Sequence, residues 1–277
     1  MDTGTLYIVG TPIGNLKDIS YRAIETLTNV DFIVAEDTRV TLKLLNHYNI
    51  KKHLISYHKH SALEKCEQIT KNILSGKNCA LVSDAGMPCI SDPGEQLVKL
   101  AIELNIKITV IPGPCAAISA LTISGLDSSR FLFEGFLSTN KKTRLLNLKN
   151  LAQTTQTLIF YEAPHKLKNT LKDLLATLGN RKISIVKELT KIHENVMLTT
   201  IEKAIDYFEP NNNIKGEFVL IVEGYKNNTV TTVSLEEAVN TIKKLHKNDG
   251  ISLPEATKIT AKQTGYKKNT LYKLVIK

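Results

Sequence analysis

The chain has 277 residues, 42% hydrophobic and 23% charged, the balance of a water-soluble globular protein with room for two or three domains. No apolar run approaches the ~18 residues of a membrane span, and the opening MDTGTLYIVGTPIG lacks the basic and then apolar regions of a signal peptide, so a cytoplasmic protein without membrane attachment is expected. The net charge of +9 points to an anionic partner, and ten lysines against four acids after residue 225 put most of the excess at the C-terminal end.

In chain order, short β-branched runs alternate with helical patterns. TLYIVG precedes YRAIETLT, DFIVAE precedes TRVTLKLLNHY, SALEKCEQITKNIL leads into NCALVS, and GEQLVKLAIEL leads into KITVI. Strand and helix at this pitch predict an α/β unit with a mainly parallel sheet over residues 1–112, because parallel neighbours need crossover helices. The helix CAAISALTIS follows the PGP of 112–114. A second α/β series over 113–225 then runs RFLFEGF, KKTRLLNLKNLA, TLIFYE, PHKLKNTLKDLLATL, RKISIVKEL, NVMLTTI and GEFVLIVEG, with strands close enough to pair antiparallel. YKNNTVTTVS reads as a linker. Three basic helical patterns over 226–277 close the chain, the last two separated by Gly265 and Tyr266 as in a helix-turn-helix. A cap packed on the second domain is the alternative reading.

Cys66, Cys79, Cys89 and Cys115 show no CxxC pair and no zinc spacing, so reduced packing thiols are expected. His58 and His60 stand two apart in a polar loop without a third ligand, a pattern of surface or RNA contact rather than of metal binding. No metal site is predicted.

Ligands of parallel sheets bind beyond the carboxyl ends of the strands. The residues there are GTPIGNLKD, EDTR, VSDAGMPCISDPG and PGPCAAISA, all glycine-rich or charged. GTPIGN lacks the Lys-Ser/Thr of a P-loop and no GxGxxG follows the first strand, which excludes the two common nucleotide cradles. SDAG and SDPG instead offer backbone groups and short carboxylates suited to a ligand with an amino-acid end and a ribose, as S-adenosylmethionine has. Asp84 and Asp92 either touch that ligand or brace the turn, and Asp92, just before Pro93 and Gly94, is expected to cap the next helix.

The ordered set GTPIGNL, AEDTR, SDAGMPCISDPG, PGPCAAISAL, EGFL, FYEAPHK, KELTK and KGEFVLIVEG resembles the tetrapyrrole-methylase superfamily. Within it, the set is similar to the branch of small-subunit ribosomal RNA methyltransferases that act on a cytidine 2′-oxygen. The similarity runs from about Leu6 to Gly224, and the basic C-terminal helices match as well. The resemblance implies a two-domain α/β fold with S-adenosylmethionine in the interdomain cleft, a small helix-turn-helix-like C-terminal domain and a homodimer. Its implied substrate is a cytidine in the decoding region, presented by ribosomal RNA or an assembled small subunit.

Carried over by motif, Ser83, Asp84, Ala85, Gly86 and Met87 match the loop that holds the methionine part and ribose. Ala116 and Ala117 match the small residues of the neighbouring helix start. Tyr161, Leu189, Gly216 and Glu217 match positions enclosing the adenine and sulfonium. For the transfer, Glu36 or Glu162 is expected to take the ribose hydroxyl proton, with Arg39, Lys166 and Lys187 holding phosphates; Asp37, His165 and Glu188 are further charged residues near these strand ends. Two other readings stay open: methylation of a small molecule or protein side chain on the same fold, and a noncatalytic nucleic-acid-binding protein.

Overall fold

The β-branched runs of the first half build a sheet of β1 (Thr5–Val9), β2 (Phe32–Ala35), β3 (His53–Ser56), β4 (Cys79–Val82) and β5 (Lys107–Ile111), in the order β3-β2-β4-β1-β5. Every pairing is parallel, so each connection crosses over through a helix. Alternation along the strands feeds two cores. Val9, Ile33 and Ala35 meet Ala23, Leu27 and Leu45 of α1 (Tyr21–Asn29) and α2 (Thr38–His47) on one face. On the other, Leu6, Ile8 and Val34 meet Ile69, Ile73 and Leu97 of α3 (Ala62–Leu74) and α4 (Glu95–Glu103). The computed structural model describes residues 3–57, 62–211, 213–226, 233–248 and 250–276. His58 and His60 lie outside them.

The second sheet has the order β6-β7-β10-β8-β9, from β6 (Phe131–Phe136), β7 (Thr157–Glu162), β8 (Lys182–Lys187), β9 (Asn195–Thr200) and β10 (Phe218–Val222). β6 and β7 are parallel and the other three pairings antiparallel. One face carries Ile159, Val186, Val219 and Ile221 and is covered by Ala117, Ala120 and Leu121 of α5 (Ala116–Ile123). The opposite face carries Phe160, Ile185, Phe218 and Leu220 beneath α6 (Lys141–Asn150), α7 (Leu167–Leu178) and α8 (Ile201–Phe208).

By internal contact the chain divides into Met1–Tyr225, which holds both sheets, and Lys226–Lys277. Among the described residues the second unit has three helices, α9 (Leu235–Asn248), α10 (Leu253–Thr264) and α11 (Lys268–Ile276), around Ala238, Ile242, Ala256 and Leu271. Gly265 ends α10 in the left-handed region at φ 76°. The Tyr266 hydroxyl donates to the Val233 carbonyl at 3.0 Å, so that ring is a packing element. Most of the expected linker, 227–232, lies outside the described residues. Among those described, no helix is long and apolar enough to cross a membrane.

Candidate functional site

The four loops at the carboxyl ends of β1, β2, β4 and β5 are tied to one another. Thr11 and Gly86 exchange backbone hydrogen bonds of 2.9 and 3.1 Å, joining the loops after β1 and β4. The buried Thr11 hydroxyl donates to the Ser83 carbonyl at 3.2 Å, and the Ser83 hydroxyl donates to Gly86 at 3.3 Å. Asp84 Oδ1 accepts the Asp37 N–H at 3.0 Å and so couples the SDAG loop to EDTR. A Cβ on Gly10 would stand 2.7 Å from both Gly113 Cα and the Met87 sulfur, so glycine alone lets these loops approach. Gly86, at φ +80°, turns the chain where a side chain would meet Ile13 and Pro114.

These loops wall a cavity of about 460 Å³, within the range of small-molecule sites. From the first sheet it is lined by Glu36, Asp84, Ala85, Gly86, Met87 and, at the start of α5, Ala116. From the second come Tyr161, Glu162, Leu189 and Glu217. Tyr161 is fixed by edge contacts with Phe133 and Phe136, and its hydroxyl accepts the Ala117 N–H at 3.1 Å. Burial, with Cys115 nearby, pushes its hydroxyl up to about 12.

The other expected residues stand apart from the lining. Ser83 and Ala117 are buried behind it, holding the loop and the Tyr161 hydroxyl. Gly216 also lies outside the lining; at φ +100°, any Cβ there would strike Glu188 Cγ at 2.8 Å. Glu188 and Thr190, on either side of Leu189, sit in the left-handed region at φ 53° and 66°, a costly conformation for a β-branched threonine. Arg39 forks onto Asp37 with contacts of 3.0 and 2.6 Å and is 87% exposed. Lys187 leaves the site altogether: alternation along β8 turns Val186 into the cavity and Lys187 to the opposite face.

The two expected proton acceptors differ sharply. Glu162 is 1% exposed and spoken for, accepting from the Thr170 hydroxyl at 2.5 Å and the Ala163 N–H at 2.8 Å and pairing with Lys166 Nζ at 3.1 Å. Lys166 is thereby held at the rim, 5.7 Å over the ring of Phe136, a lining residue. Glu36 is half-buried, and burial raises its carboxyl above the ordinary 4.5, with the charges of Asp92 and Asp84 pushing the same way. Asp92, expected to cap α4, instead lines the cavity, while Gly94 occupies the cap position at φ 145°. Burial and Asp84 raise Asp92 too, against a hydrogen bond from Ser83 that lowers it. Ile13, Ile90, Cys115, Phe136 and Val219 complete walls that sequence reading had not singled out. All four cysteines are free, Cys66 and Cys79 buried in the core.

Five carboxylates therefore line the cavity, Glu36, Asp84, Asp92, Glu162 and Glu217, and no lysine, arginine or histidine does. In a chain of net charge +9, this is an acidic chamber in a basic protein. Such a lining favours a cationic ligand and repels phosphate. Among the described residues no group of His, Cys, Asp and Glu is arranged to hold a metal ion.

Residues 5–205 match the family model of the tetrapyrrole (corrin/porphyrin) methylases. A protein of Halalkalibacterium halodurans named ribosomal RNA small subunit methyltransferase I is 52% identical over 80% of this chain and 77% of its own. One of the same name from Haemophilus influenzae is 45% identical over 98% of this chain and 95% of its own. The crystal structure of diphthine synthase superposes with a TM-score of 0.61 at 13% identity, covering 79% of this chain and 90% of that one, a likeness of fold.

Proposed function

This chain belongs to the tetrapyrrole methylase family, in the branch of the ribosomal RNA small subunit methyltransferases, and we propose that it methylates small-subunit ribosomal RNA from S-adenosylmethionine in the acidic cavity. The acceptor is a ribose 2′-hydroxyl, that of a cytidine in the decoding region, and the protein acts in the cytoplasm. The observation that carries this reading is the charge of the cavity. A methyl donor with a cationic sulfur and an ammonium group fits Glu36, Asp84 and Asp92, the lining carboxylates without a lysine or arginine partner among the described residues, whereas a nucleoside phosphate does not. The backbone of 84–87 and the small Ala116 leave room for the amino-acid end and ribose, and Tyr161, Leu189 and Val219 give apolar surface for an adenine ring.

When bound, the donor supplies an electrophilic methyl carbon, so that attack by the ribose oxygen forms the carbon–oxygen bond, breaks the carbon–sulfur bond and releases one proton. The chain's own work is alignment, which reaches ~7–11 kcal/mol in well-oriented systems, and removal of that proton. Glu36 is the acceptor we assign. Its carboxyl faces the cavity, its raised affinity for a proton suits a base, and its oxygens are not saturated as those of Glu162 are. Glu162 is instead a positioning residue that holds Lys166 at the rim, where a phosphate beside the target ribose would be neutralised.

The C-terminal lysines supply further phosphate contacts in this reading. Protein truncated after Tyr225 is expected to keep donor affinity and to bind small ribosomal subunits more weakly, with a flatter dependence on salt. An unchanged salt slope, read by filter binding, argues against that role. We also propose a homodimer. Ile118 and Ile123 on α5 and Val196 and Leu198 on β9 are apolar and between 39% and 54% exposed, the surface a partner copy would cover. Sedimentation that returns only monomer contradicts it. The function as a whole is tested by mapping 2′-O-methyl groups in ribosomal RNA from cells with and without the gene: one methyl group is expected to vanish from the small-subunit RNA.

A further inference from the structure

A second cavity, of about 180 Å³, opens on the face of the second sheet opposite the first. The alternation that sends Val186, Glu217 and Val219 to the acidic cavity sends Ile185, Lys187 and Phe218 here. The charge is sorted with them. Lys187, Lys215 and His193 line this cavity together with the amides of Asn195, Asn211 and Asn213, and no carboxylate does.

The acids next to these residues in the chain are turned elsewhere. Glu194 accepts the Thr190 N–H at 2.6 Å, and Glu188 and Glu217 hold Lys191 at 2.9 and 3.0 Å. Neither Lys187 nor Lys215 has an ion-pair partner among the described residues. Lys187 Nζ instead rests 6.0 Å above the buried Phe218 ring, which keeps the ammonium at the wall. Two unpaired ammonium groups in one concave site call for an anion. Tyr207 adds a second demand: its ring, braced edge-on against Phe208 with centroids 5.0 Å apart, is 64% exposed at the cavity's side. The Asn211 amide oxygen accepts the Asn213 N–H at 3.0 Å, and an exposed ring beside such side-chain amides is a surface on which a base stacks and finds edge partners.

We infer that this second cavity is a nucleotide subsite for the RNA strand flanking the target, with a base on Tyr207 near the asparagine amides and a phosphate facing Lys187 and Lys215. The inference rests on the RNA reading above and extends it. At the acidic cavity only Lys166, itself paired with Glu162, faces a phosphate beside the target ribose, so the strand that delivers that ribose needs further cationic contacts elsewhere. Val186 and Lys187, adjacent in β8, face the two cavities from opposite sides of the sheet.

The test uses the full chain and small ribosomal subunits from cells lacking the gene. Lys187→Ala/Lys215→Ala is expected to weaken subunit binding about tenfold and to lower the salt slope by ~0.7 for each phosphate no longer neutralised. Donor affinity should stay unchanged. Tyr207→Ala is expected to weaken binding about tenfold, and Tyr207→Phe, which keeps the stacking face, to restore it. Lys215→Ala and Tyr207→Ala, at exposed positions, carry the test by themselves should the double variant fold poorly.

Unchanged affinity and slope in these variants overturn the subsite. So does equal weakening by Lys43→Ala/Lys71→Ala, which removes the same charge from exposed positions on α2 and α3. Tight saturation of the site by inorganic phosphate or free cytidine monophosphate, with subunit binding unaffected by either, would mark a small-molecule site and equally overturn it. Wild-type protein that neither binds nor methylates subunits sinks the methyl-transfer reading and the subsite together. Wild-type protein that methylates normally beside indifferent variants sinks the subsite alone.

Discussion

Glu36→Gln is expected to slow methyl transfer by about 10²- to 10⁴-fold while the protein still binds donor. The amide keeps the shape of the side chain and removes its capacity to take the ribose proton. The pH profile sharpens the expectation. Glu36 works as a base only when ionised, and burial with the charges of Asp92 and Asp84 holds its pKa above 4.5. The rate should therefore be full above that raised value and fall as pH drops through it, on an acid limb displaced upward from an ordinary glutamate and absent in the Gln variant. Glu162→Gln provides the contrast. It unsettles the bonds to Thr170 and Lys166, an effect of ~1–3 kcal/mol on stability, and leaves the acid limb in place. Single-turnover transfer measured across pH checks both, and near-normal turnover in Glu36→Gln rejects the assigned base.

Asp92→Asn is expected to weaken the sulfonium donor roughly tenfold, about 1.4 kcal/mol, and to weaken the thioether product distinctly less. The two ligands differ by the one positive charge at sulfur, so the difference between their losses isolates the electrostatic part of recognition. The same charges act on the protein without ligand. Because burial raises the carboxyls of Glu36 and Asp92, the folded state binds their protons more tightly than the unfolded state does. Stability without donor should decline as pH rises through those raised values, and donor should restore it. Calorimetric titration of both ligands into wild-type and variant protein reads this directly; equal losses for donor and product would contradict a charge-selected site.

Much of this was legible in the sequence because strand ends declare themselves. Gly10 and Gly113 stand where backbone must approach backbone within the reach of any Cβ, and Gly86 stands where the chain turns at φ +80°. The parallel sheet followed from strand and helix alternation, and the gathering of SDAG and EDTR at one sheet edge from their common position after parallel strands. What escaped has physical reasons. Strand β3, HLIS, is as short as β2 and β4 but lacks their unbroken apolar run, being bounded by His53 and Ser56 and only partly buried. Helix α8 begins at Ile201, directly after β9, with Thr200 both ending the strand and capping the helix, so no breaker separates the two patterns. Asp92 precedes a Pro-Gly pair as a cap residue would, yet Gly94 takes the cap and frees the carboxylate for the cavity. Lys187 is one residue from Val186, and a list of charged residues at strand ends does not say to which face each one turns.

The most direct measurement is transfer of a labelled methyl group from S-adenosylmethionine to small ribosomal subunits by the purified chain, followed by digestion of the RNA to nucleosides. The account predicts label in 2′-O-methylcytidine from small-subunit RNA, abolished or slowed at least a hundredfold by Glu36→Gln. Label on a base, on a ribosomal protein or on a tetrapyrrole offered in competition would contradict it, as would no transfer at all.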